Sequence, residues 1–269
     1  MNILDEIVAN TRSKLEDKKR KEPIDDLLSK IDMDNLGESI FKRSLEGKSQ
    51  SIIAEIKKAS PSAGLISKNF DPVAKAKEYE TFGASALSIL TEEDYFQGNV
   101  QHLIDVKAVS NLPILRKDFI VDEYQIYESK LIGADCILLI ASILNDDELK
   151  TFSETADKLS LDYIIEVHDK DELFRVKNFS EAIIGVNNRN LKTFEVDIDN
   201  SIKLKKEFQE SNIFVSESGI KTQKDIDKLK AVIRNLNTDA RIIPISKGNV
   251  STIDILSTGL FDFARAQQA

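Results

Sequence analysis

Eight short apolar runs recur along this chain, and their spacing restricts the fold more than any other feature. Their starts lie 21 to 34 residues apart, which leaves room each time for a helix and two loops. The runs are Ser51–Ile56, Ser85–Leu90, Pro113–Lys117, Asp135–Ile140, Leu161–Glu166, Ala182–Val186, Ile213–Glu217 and Ala240–Ile245. Helical patterns follow them at Pro72–Phe82, Val100–Val109, Glu123–Ile132, Asp146–Leu159, Asp169–Val176, Asp199–Phe208, Thr222–Ile233 and Thr252–Ala264. Strict alternation of strand and helix indicates a parallel sheet.

Eight such units predict an α/β fold of the (β/α)8 TIM-barrel type, in which the parallel sheet closes on itself. The length of 269 residues is close to the roughly 250 of one such barrel. A doubly wound open sheet is the alternative, but it usually has a glycine-rich first turn, and no G-x-G-x-x-G occurs here. Residues 1–48 precede the first strand and carry apolar residues at helical spacing, which predicts an N-terminal helical extension. We therefore expect one domain, residues 1–269.

Composition excludes several classes of function. A net charge of −9 argues against a general nucleic-acid binder, and no apolar run approaches the ~18–20 residues that span a bilayer. The acidic start of the chain does not resemble a signal peptide, so we expect a cytoplasmic protein. The single cysteine, Cys136, and the two histidines, His102 and His168, cannot form a typical zinc site, and all three are interpreted as structural residues.

Charged residues stand at the carboxyl ends of five runs, where a barrel core would otherwise be apolar. Side chains alternate along a strand, so Glu55 and Lys57 share a face, and Lys117 shares one with Leu115. The six charged residues are Glu55, Lys57, Lys117, Glu166, Arg189 and Glu217. Unpaired charge is costly to bury, so these groups must pair or meet a charged ligand. Because active sites of such barrels lie at this end, the pattern predicts a site there, with a structural ion-pair network as the alternative.

Six segments carry a resemblance to the indole-3-glycerol-phosphate synthases, and with the N-terminal segment they cover roughly residues 1–230. They run from residue 53 to 62, 90 to 98, 113 to 120, 166 to 169, 185 to 191 and 216 to 220, and they read IAEIKKASPS, LTEEDYFQG, PILRKDFI, EVHD, GVNNRNL and SESGI. The resemblance implies decarboxylating ring closure and dehydration of 1-(2-carboxyphenylamino)-1-deoxyribulose 5-phosphate, without metal or organic cofactor. It implies a phosphorylated small-molecule substrate, a monomer, and no nucleic-acid or membrane partner, with other enzymes of tryptophan biosynthesis as candidate partners.

The resemblance also implies roles for individual residues. Lys117 would protonate the sugar carbonyl during ring closure, and Glu55 would act as the base in dehydration. Glu166 and Lys57 are rival candidates for the dehydration acid, and Lys57 also suits the substrate carboxylate. The remaining implied contacts are Asn187 with the sugar hydroxyls, Arg189 and Glu217 with the catalytic groups, Ser60, Phe96, Phe119 and Leu138 around the substrate, and Lys58, Ser218, Gly219 and Gly248 at the phosphate. Residues 60–64 are expected to form a mobile loop over the substrate.

The eighth unit departs from the family pattern. Family members continue with an apolar strand that runs into a glycine, whereas this chain has Pro244 inside the run and Ser246-Lys247-Gly248 after it. Proline removes a hydrogen-bond donor from the sheet. Residues 231–269 therefore form a diverged eighth unit with three open interpretations: a changed phosphate site that uses Lys247, a barrel with a weak eighth strand, or a shifted reading frame.

Three alternative functions stay open at the level of sequence. Phosphoribosylanthranilate isomerase is another phosphate-binding barrel, but it needs a Cys/Asp acid–base pair at strand ends, and Cys136 begins its run. A Schiff-base aldolase would use Lys117 as its nucleophile. A non-catalytic barrel would bind the ligand but have lost turnover through its altered C-terminal unit.

Overall fold

The computed structural model describes residues 3–46, 51–190, 193–208, 210–220, 222 and 224–229, and the backbone of 242–246. Eight parallel strands form a closed barrel, which confirms the TIM-barrel prediction. They are β1 (Ile53–Ile56), β4 (Ala86–Leu90), β5 (Ile114–Lys117), β6 (Cys136–Ile140), β7 (Asp162–Val167), β8 (Ile183–Asn187), β9 (Phe214–Glu217) and β10 (Ile242–Ser246). Each strand pairs with its sequence neighbour around the barrel, and β10 pairs with β1 to close it.

Helices surround the barrel and precede it. The extension contains α1 (Ile3–Lys21), α2 (Ile24–Lys30) and α3 (Phe41–Leu45), and the crossover helices are α4 (Pro72–Thr81), α5 (Val100–Lys107), α6 (Glu123–Leu131), α7 (Asp146–Lys158), α8 (Lys170–Arg175) and α9 (Asp199–Glu207). A further helical segment covers 224–229. Five consecutive helices, α4 to α8, begin at an Asp or Asn whose side chain accepts a backbone N–H of the first turn. Such caps stabilise a helix by about 1 kcal/mol each, which explains why the helices begin where they do.

The barrel interior is apolar in its lower part and charged at its carboxyl end. Ile53, Leu115, Leu138, Ile164 and Val215 pack together inside it, and α3 covers the amino-terminal end of the barrel with Phe41 and Leu45, both fully buried. The next inward position along β1, β5, β7 and β9 is a charged residue. The alternation of side chains therefore carries each strand from core to site within two residues.

Helix α1 lies against the carboxyl end of the barrel and is held by polar contacts. Lys19 Nζ lies 2.5 Å from Asp122 Oδ2 and Lys14 Nζ lies 2.7 Å from Asp94 Oδ2. The Tyr95 hydroxyl donates to Glu6 Oε1 at 2.9 Å. The predicted N-terminal helical extension is confirmed, and its packing brings α1 to the end of the barrel where the charged residues lie.

The eighth strand closes the barrel despite its proline. Pro244 lies opposite Ser216 of β9, and β10 makes four register positions with β9 but only two with β1. The missing N–H of Pro244 is therefore accommodated by a backbone that still pairs on both sides. Lys247, Gly248 and the helix expected at Thr252–Ala264 lie outside the described residues.

Two further observations concern the described part of the chain. Residues expected to form a mobile loop after β1 form a short antiparallel pair instead, β2 (Ala59–Ser60) with β3 (Gly64–Leu65). None of the described helices combines the length and the apolar character that crossing a membrane requires.

Candidate active site

The carboxyl ends of the strands surround a cavity of about 130 Å³. Eleven residues predicted from the sequence line it: Glu55, Lys57, Ser60, Phe96, Lys117, Phe119, Leu138, Glu166, Asn187, Arg189 and Glu217. They come from β1, β5, β6, β7, β8, β9 and the loops that follow, so residues far apart in sequence meet because parallel strands end at one rim.

Lys117 stands at the centre of the charged cluster. Its Nζ lies 3.1 Å from Glu166 Oε2 and 2.6 Å from Glu217 Oε2, and the two carboxylates are almost fully buried. Burial lowers the pKa of Lys117, but Glu217, Glu166 and Glu55 outweigh it and raise that pKa above its ordinary value. Lys117 is therefore held as an ammonium ion.

The two carboxylates beside Lys117 differ in their acidity. Burial acts to raise the pKa of Glu166, but Lys117, His168 and the Asn187 amide outweigh it and lower that pKa below the ordinary range. Burial raises the pKa of Glu217 to about 7, and the negative charge of Glu166 adds to this effect against the attraction of Lys117. The resting site therefore holds Glu166 as a carboxylate and Glu217 close to a protonated carboxylic acid.

A second ion pair lies on β1. Lys57 and Glu55 are two residues apart on one face of the strand, and the Lys57 ammonium contacts Glu55 Oε1. Both side chains are more than nine-tenths buried. A proton donor and a proton acceptor therefore stand side by side at the edge of the same cavity.

Strand β8 supplies an amide and the space for a carboxylate. Asn187 Nδ2 donates to Glu166 Oε1 at 3.1 Å. Two residues earlier, a Cβ at Gly185 would lie 2.4 Å from Glu217 Oε1, so the glycine leaves the room that the Glu217 side chain occupies. Arg189 donates through Nη1 to the Phe194 carbonyl at 3.2 Å and forms no ion pair with the described residues.

Apolar side chains form one wall of the cavity. The Phe96 and Phe119 rings lie with their centroids 6.0 Å apart, and Leu138 reaches the same cavity from β6. The Glu92 carboxylate fixes the loop that carries Phe96 by accepting its N–H at 2.9 Å. A flat aromatic group fits such a wall, with the charged cluster on its other side.

Comparison with known proteins identifies the family. The family model for indole-3-glycerol phosphate synthase matches residues 4–236. The chain belongs to the indole-3-glycerol-phosphate synthase family. It is 46% identical to the indole-3-glycerol phosphate synthase of Ruminiclostridium cellulolyticum over 86% of this chain and 89% of that protein. It is 47% identical to that of Clostridium acetobutylicum over 86% of this chain and 87% of that protein.

Solved structures agree on the fold alone. The phosphoribosylanthranilate isomerase of Thermotoga maritima superposes with a TM-score of 0.51 at 9% identity, covering 81% of this chain and 99% of that chain. KGPDC from Streptococcus mutans gives a TM-score of 0.52 at 9% identity, covering 81% of this chain and 97% of that chain. The family model ends at residue 236, near the point where the sequence departs from the family pattern.

The phosphate contacts that the resemblance implies are brought together only in part. Ser218 lines the cavity, and Ser218 and Gly219 have φ values of 65° and 79°, which form a left-handed turn directly after β9. A Cβ at Gly219 would lie 2.1 Å from Val196 Cγ1, so the turn requires glycine. Lys58 is not among the residues that line the cavity, and Gly248 lies outside the described residues.

Sequence reasoning missed residues at the edge of the site. His168, interpreted from sequence as structural, places Nε2 3.2 Å from Glu166 Oε1, and the alternation of β7 already indicated that residues 166 and 168 share a face. Ile3, Leu4 and Ile7 of α1 line the cavity, although the sequence assigned them only to packing. Among the described residues, no group of three His, Cys, Asp or Glu side chains could hold a metal ion.

Proposed function

We propose that this cavity converts 1-(2-carboxyphenylamino)-1-deoxyribulose 5-phosphate into indole-3-glycerol phosphate, carbon dioxide and water, as a carboxy-lyase of tryptophan biosynthesis. Family membership supports the reaction. The observation that carries it is the seating of the Lys117 ammonium between two buried carboxylates beside an apolar wall. The aromatic ring of this substrate suits the wall, and its sugar carbonyl offers an oxygen for Lys117 to protonate.

Ring closure uses Lys117 as the general acid. The ring carbon that bears the carboxylate attacks the sugar carbonyl carbon, and the carbonyl oxygen takes a proton from Lys117 and becomes a hydroxyl. An alkoxide is a stronger base than a lysine amine, so the transfer is favourable even though the pKa of Lys117 is raised. The bond to the carboxylate then breaks, carbon dioxide leaves, and the released electron pair restores the aromatic ring.

Dehydration needs one proton for the departing hydroxyl and a base for the anilino proton. We assign the acid to Lys57 and the base to Glu55, which lie against each other at the cavity edge. Glu166 suits a different part, because its neighbours lower its pKa and keep it ionised. Its carboxylate stabilises the positive charge that builds on the substrate as the hydroxyl departs.

The alternative functions are less well supported. A Schiff-base enzyme needs a neutral amine, whereas the carboxylates around Lys117 hold it as an ammonium ion. The isomerase reaction needs a cysteine in the site, whereas Cys136 is the first residue of β6, is fully buried and does not line the cavity. Burial raises the pKa of its thiol well above the ordinary value, which suits an inert core residue.

The test is a fluorescence assay for indole-3-glycerol phosphate with the purified full-length chain. We expect product from the unchanged chain and none from Lys117→Ala, because the acid for ring closure is then missing. Substrate binding without product from the unchanged chain would favour the non-catalytic barrel. Covalent trapping of substrate on Lys117 by borohydride would favour the Schiff-base enzyme. Location in the cytoplasm and a monomeric state stay predictions from the sequence.

A further inference from the structure

His168 lies between a catalytic carboxylate and the first turn of a helix. It follows the end of β7 directly, and its imidazole has a carboxylate at each nitrogen. Nε2 lies 3.2 Å from Glu166 Oε1, and Nδ1 lies 3.1 Å from Glu172 Oε2. The side chain is 15% exposed, so these two carboxylates are its main polar surroundings. A ring with an acceptor at each nitrogen is arranged for the doubly protonated, cationic form.

The backbone around His168 is fixed from two sides. The N–H of His168 donates to Glu172 Oε2 at 2.8 Å, and Asn200 Nδ2 of α9 donates to the His168 carbonyl at 2.9 Å. Glu172 is itself placed by its own N–H, which donates to the helix cap Asp169 at 2.9 Å. The imidazole therefore has little freedom to turn away from Glu166.

The groups that face Glu166 and His168 can be named from each packed element. Glu166 meets Lys117 from β5, Asn187 from β8 and the imidazole of His168 from its own chain segment. The Glu217 carboxylate of β9 shares Lys117 with it. His168 meets Glu172 of α8 and the Asn200 amide of α9.

The Glu166 carboxylate is satisfied at both oxygens. Oε2 receives the Lys117 ammonium, while Oε1 receives the Asn187 amide and lies beside the His168 imidazole. Nε2 of His168 has no well-aligned hydrogen-bond acceptor in the described part of the chain, so its contact with Glu166 is an ion pair. When Lys117 gives up its proton during ring closure, His168 is the cation that still faces Glu166.

We propose that His168 is a positioning residue of this active site: its imidazolium, anchored on Glu172, orients the Glu166 carboxylate and keeps it ionised through the reaction. The proposal rests on the proposed function for the role of Glu166, but not for the ion pair itself. Burial lowers the pKa of His168, and the two carboxylates outweigh it and raise that pKa to about 10, so the ring is cationic at neutral pH. His168 touches neither the apolar wall nor the remaining lining of the cavity, so it acts through Glu166.

The first experiment is steady-state kinetics across pH on His168→Asn, with His102→Asn as the matched control. His102 is the other histidine of the chain, lies on α5 against Phe70, and does not line the cavity. In His168→Asn we expect kcat to fall by about tenfold or more at mildly acidic pH, since one unit of pKa is tenfold in protonation. The acid limb of the kcat profile should move to higher pH and KM should stay unchanged, while His102→Asn should alter neither. A uniform loss of kcat at every pH would overturn the proposal.

The second experiment is a double-mutant cycle with Glu166→Gln. If His168 works only through Glu166, the change His168→Asn costs nothing further in a chain that already carries Glu166→Gln. Equal losses in both backgrounds would assign His168 an independent role and overturn the proposal.

The third experiment does not depend on turnover. Because the chain has two histidines, NMR titration of the imidazole signals separates His168 from His102, whose pKa is lowered by burial and by the charge of Lys58. We expect His168 to titrate well above His102 and to shift to lower pH in Glu166→Gln. An ordinary titration of His168 that ignores Glu166→Gln would overturn the proposal. Absence of product from the unchanged chain would refute only the proposed function.

Discussion

Replacement of Lys117 by methionine separates the catalytic role of the ammonium from its role in stability. Methionine keeps the apolar stem of lysine and removes the charge. Glu166 and Glu217 then lose the cation that lies 3.1 Å and 2.6 Å from their Oε2 atoms, while both stay buried. We expect the barrel to fold, because Ile53, Leu115 and Ile164 of its interior are untouched.

The size of the effect follows from the burial of the two carboxylates. Removing one partner of a buried ion pair costs about 3–5 kcal/mol, a large part of the roughly 5–15 kcal/mol that stabilises a folded protein. Without Lys117, the folded-state pKa values of Glu166 and Glu217 rise above their unfolded values. A group with a raised folded pKa keeps its stability below the unfolded pKa and loses it as pH rises through the folded pKa. The cost of Lys117→Met is therefore small near about pH 4 and grows toward about pH 8.

Urea unfolding at these two pH values measures the difference in the free energy of unfolding. The exposed pair of Lys14 with Asp94 provides the control, since Lys14→Met should cost about 1 kcal/mol or less at either pH. Adding Glu217→Gln to Lys117→Met removes one orphaned carboxylate, so stability at the higher pH should recover while product formation stays absent. An equal cost of Lys117→Met at both pH values, or no recovery in the double variant, would refute the reasoning.

Three further substitutions test the site and its frame. Gly185→Ala places a Cβ 2.4 Å from Glu217 Oε1, so kcat in the fluorescence assay should fall while circular dichroism stays that of the unchanged chain. Gly98→Ala places a Cβ 2.5 Å from the Leu90 carbonyl oxygen, which is backbone and cannot move aside, so urea unfolding should report a loss of about 1–3 kcal/mol. Lys57→Met should accumulate a ring-closed, decarboxylated but hydrated intermediate in mass spectrometry; accumulation of unchanged substrate would assign Lys57 to an earlier step.

The barrel was predictable because each strand carries its own signal. Every observed barrel strand begins one or two residues after the start of its apolar run. Alternation then placed Glu55, Lys57 and Lys117 on the inner face without any knowledge of tertiary contacts. The short β2–β3 pair was missed, because Ser60-Pro61-Ser62 carries turn chemistry and the pairing of Ala59 with Leu65 has no local periodicity.

The partners within the site were not predictable, because they depend on distances between strands. Lys117 meets Glu166 across 49 residues and Glu217 across 100 residues of sequence. Nothing in the local pattern distinguishes these contacts from a pairing with Glu55. The role of His168 was hidden for a related reason: its position after β7 was visible, but its second anchor, Glu172, acts through the orientation of α8.

The charge balance of the site differs from the one that the sequence suggested. Counting strand ends set three carboxylates, on Glu55, Glu166 and Glu217, against two lysines and Arg189. In the structure the third cation beside the carboxylates is the imidazolium of His168, while the Arg189 guanidinium donates to the Phe194 carbonyl at the cavity rim. Because the catalytic carboxylates are already neutralised without Arg189, we expect its charge to serve the incoming anionic substrate. An arginine at the rim attracts a carboxylate or phosphate without drawing the Glu166 carboxylate away from Lys117.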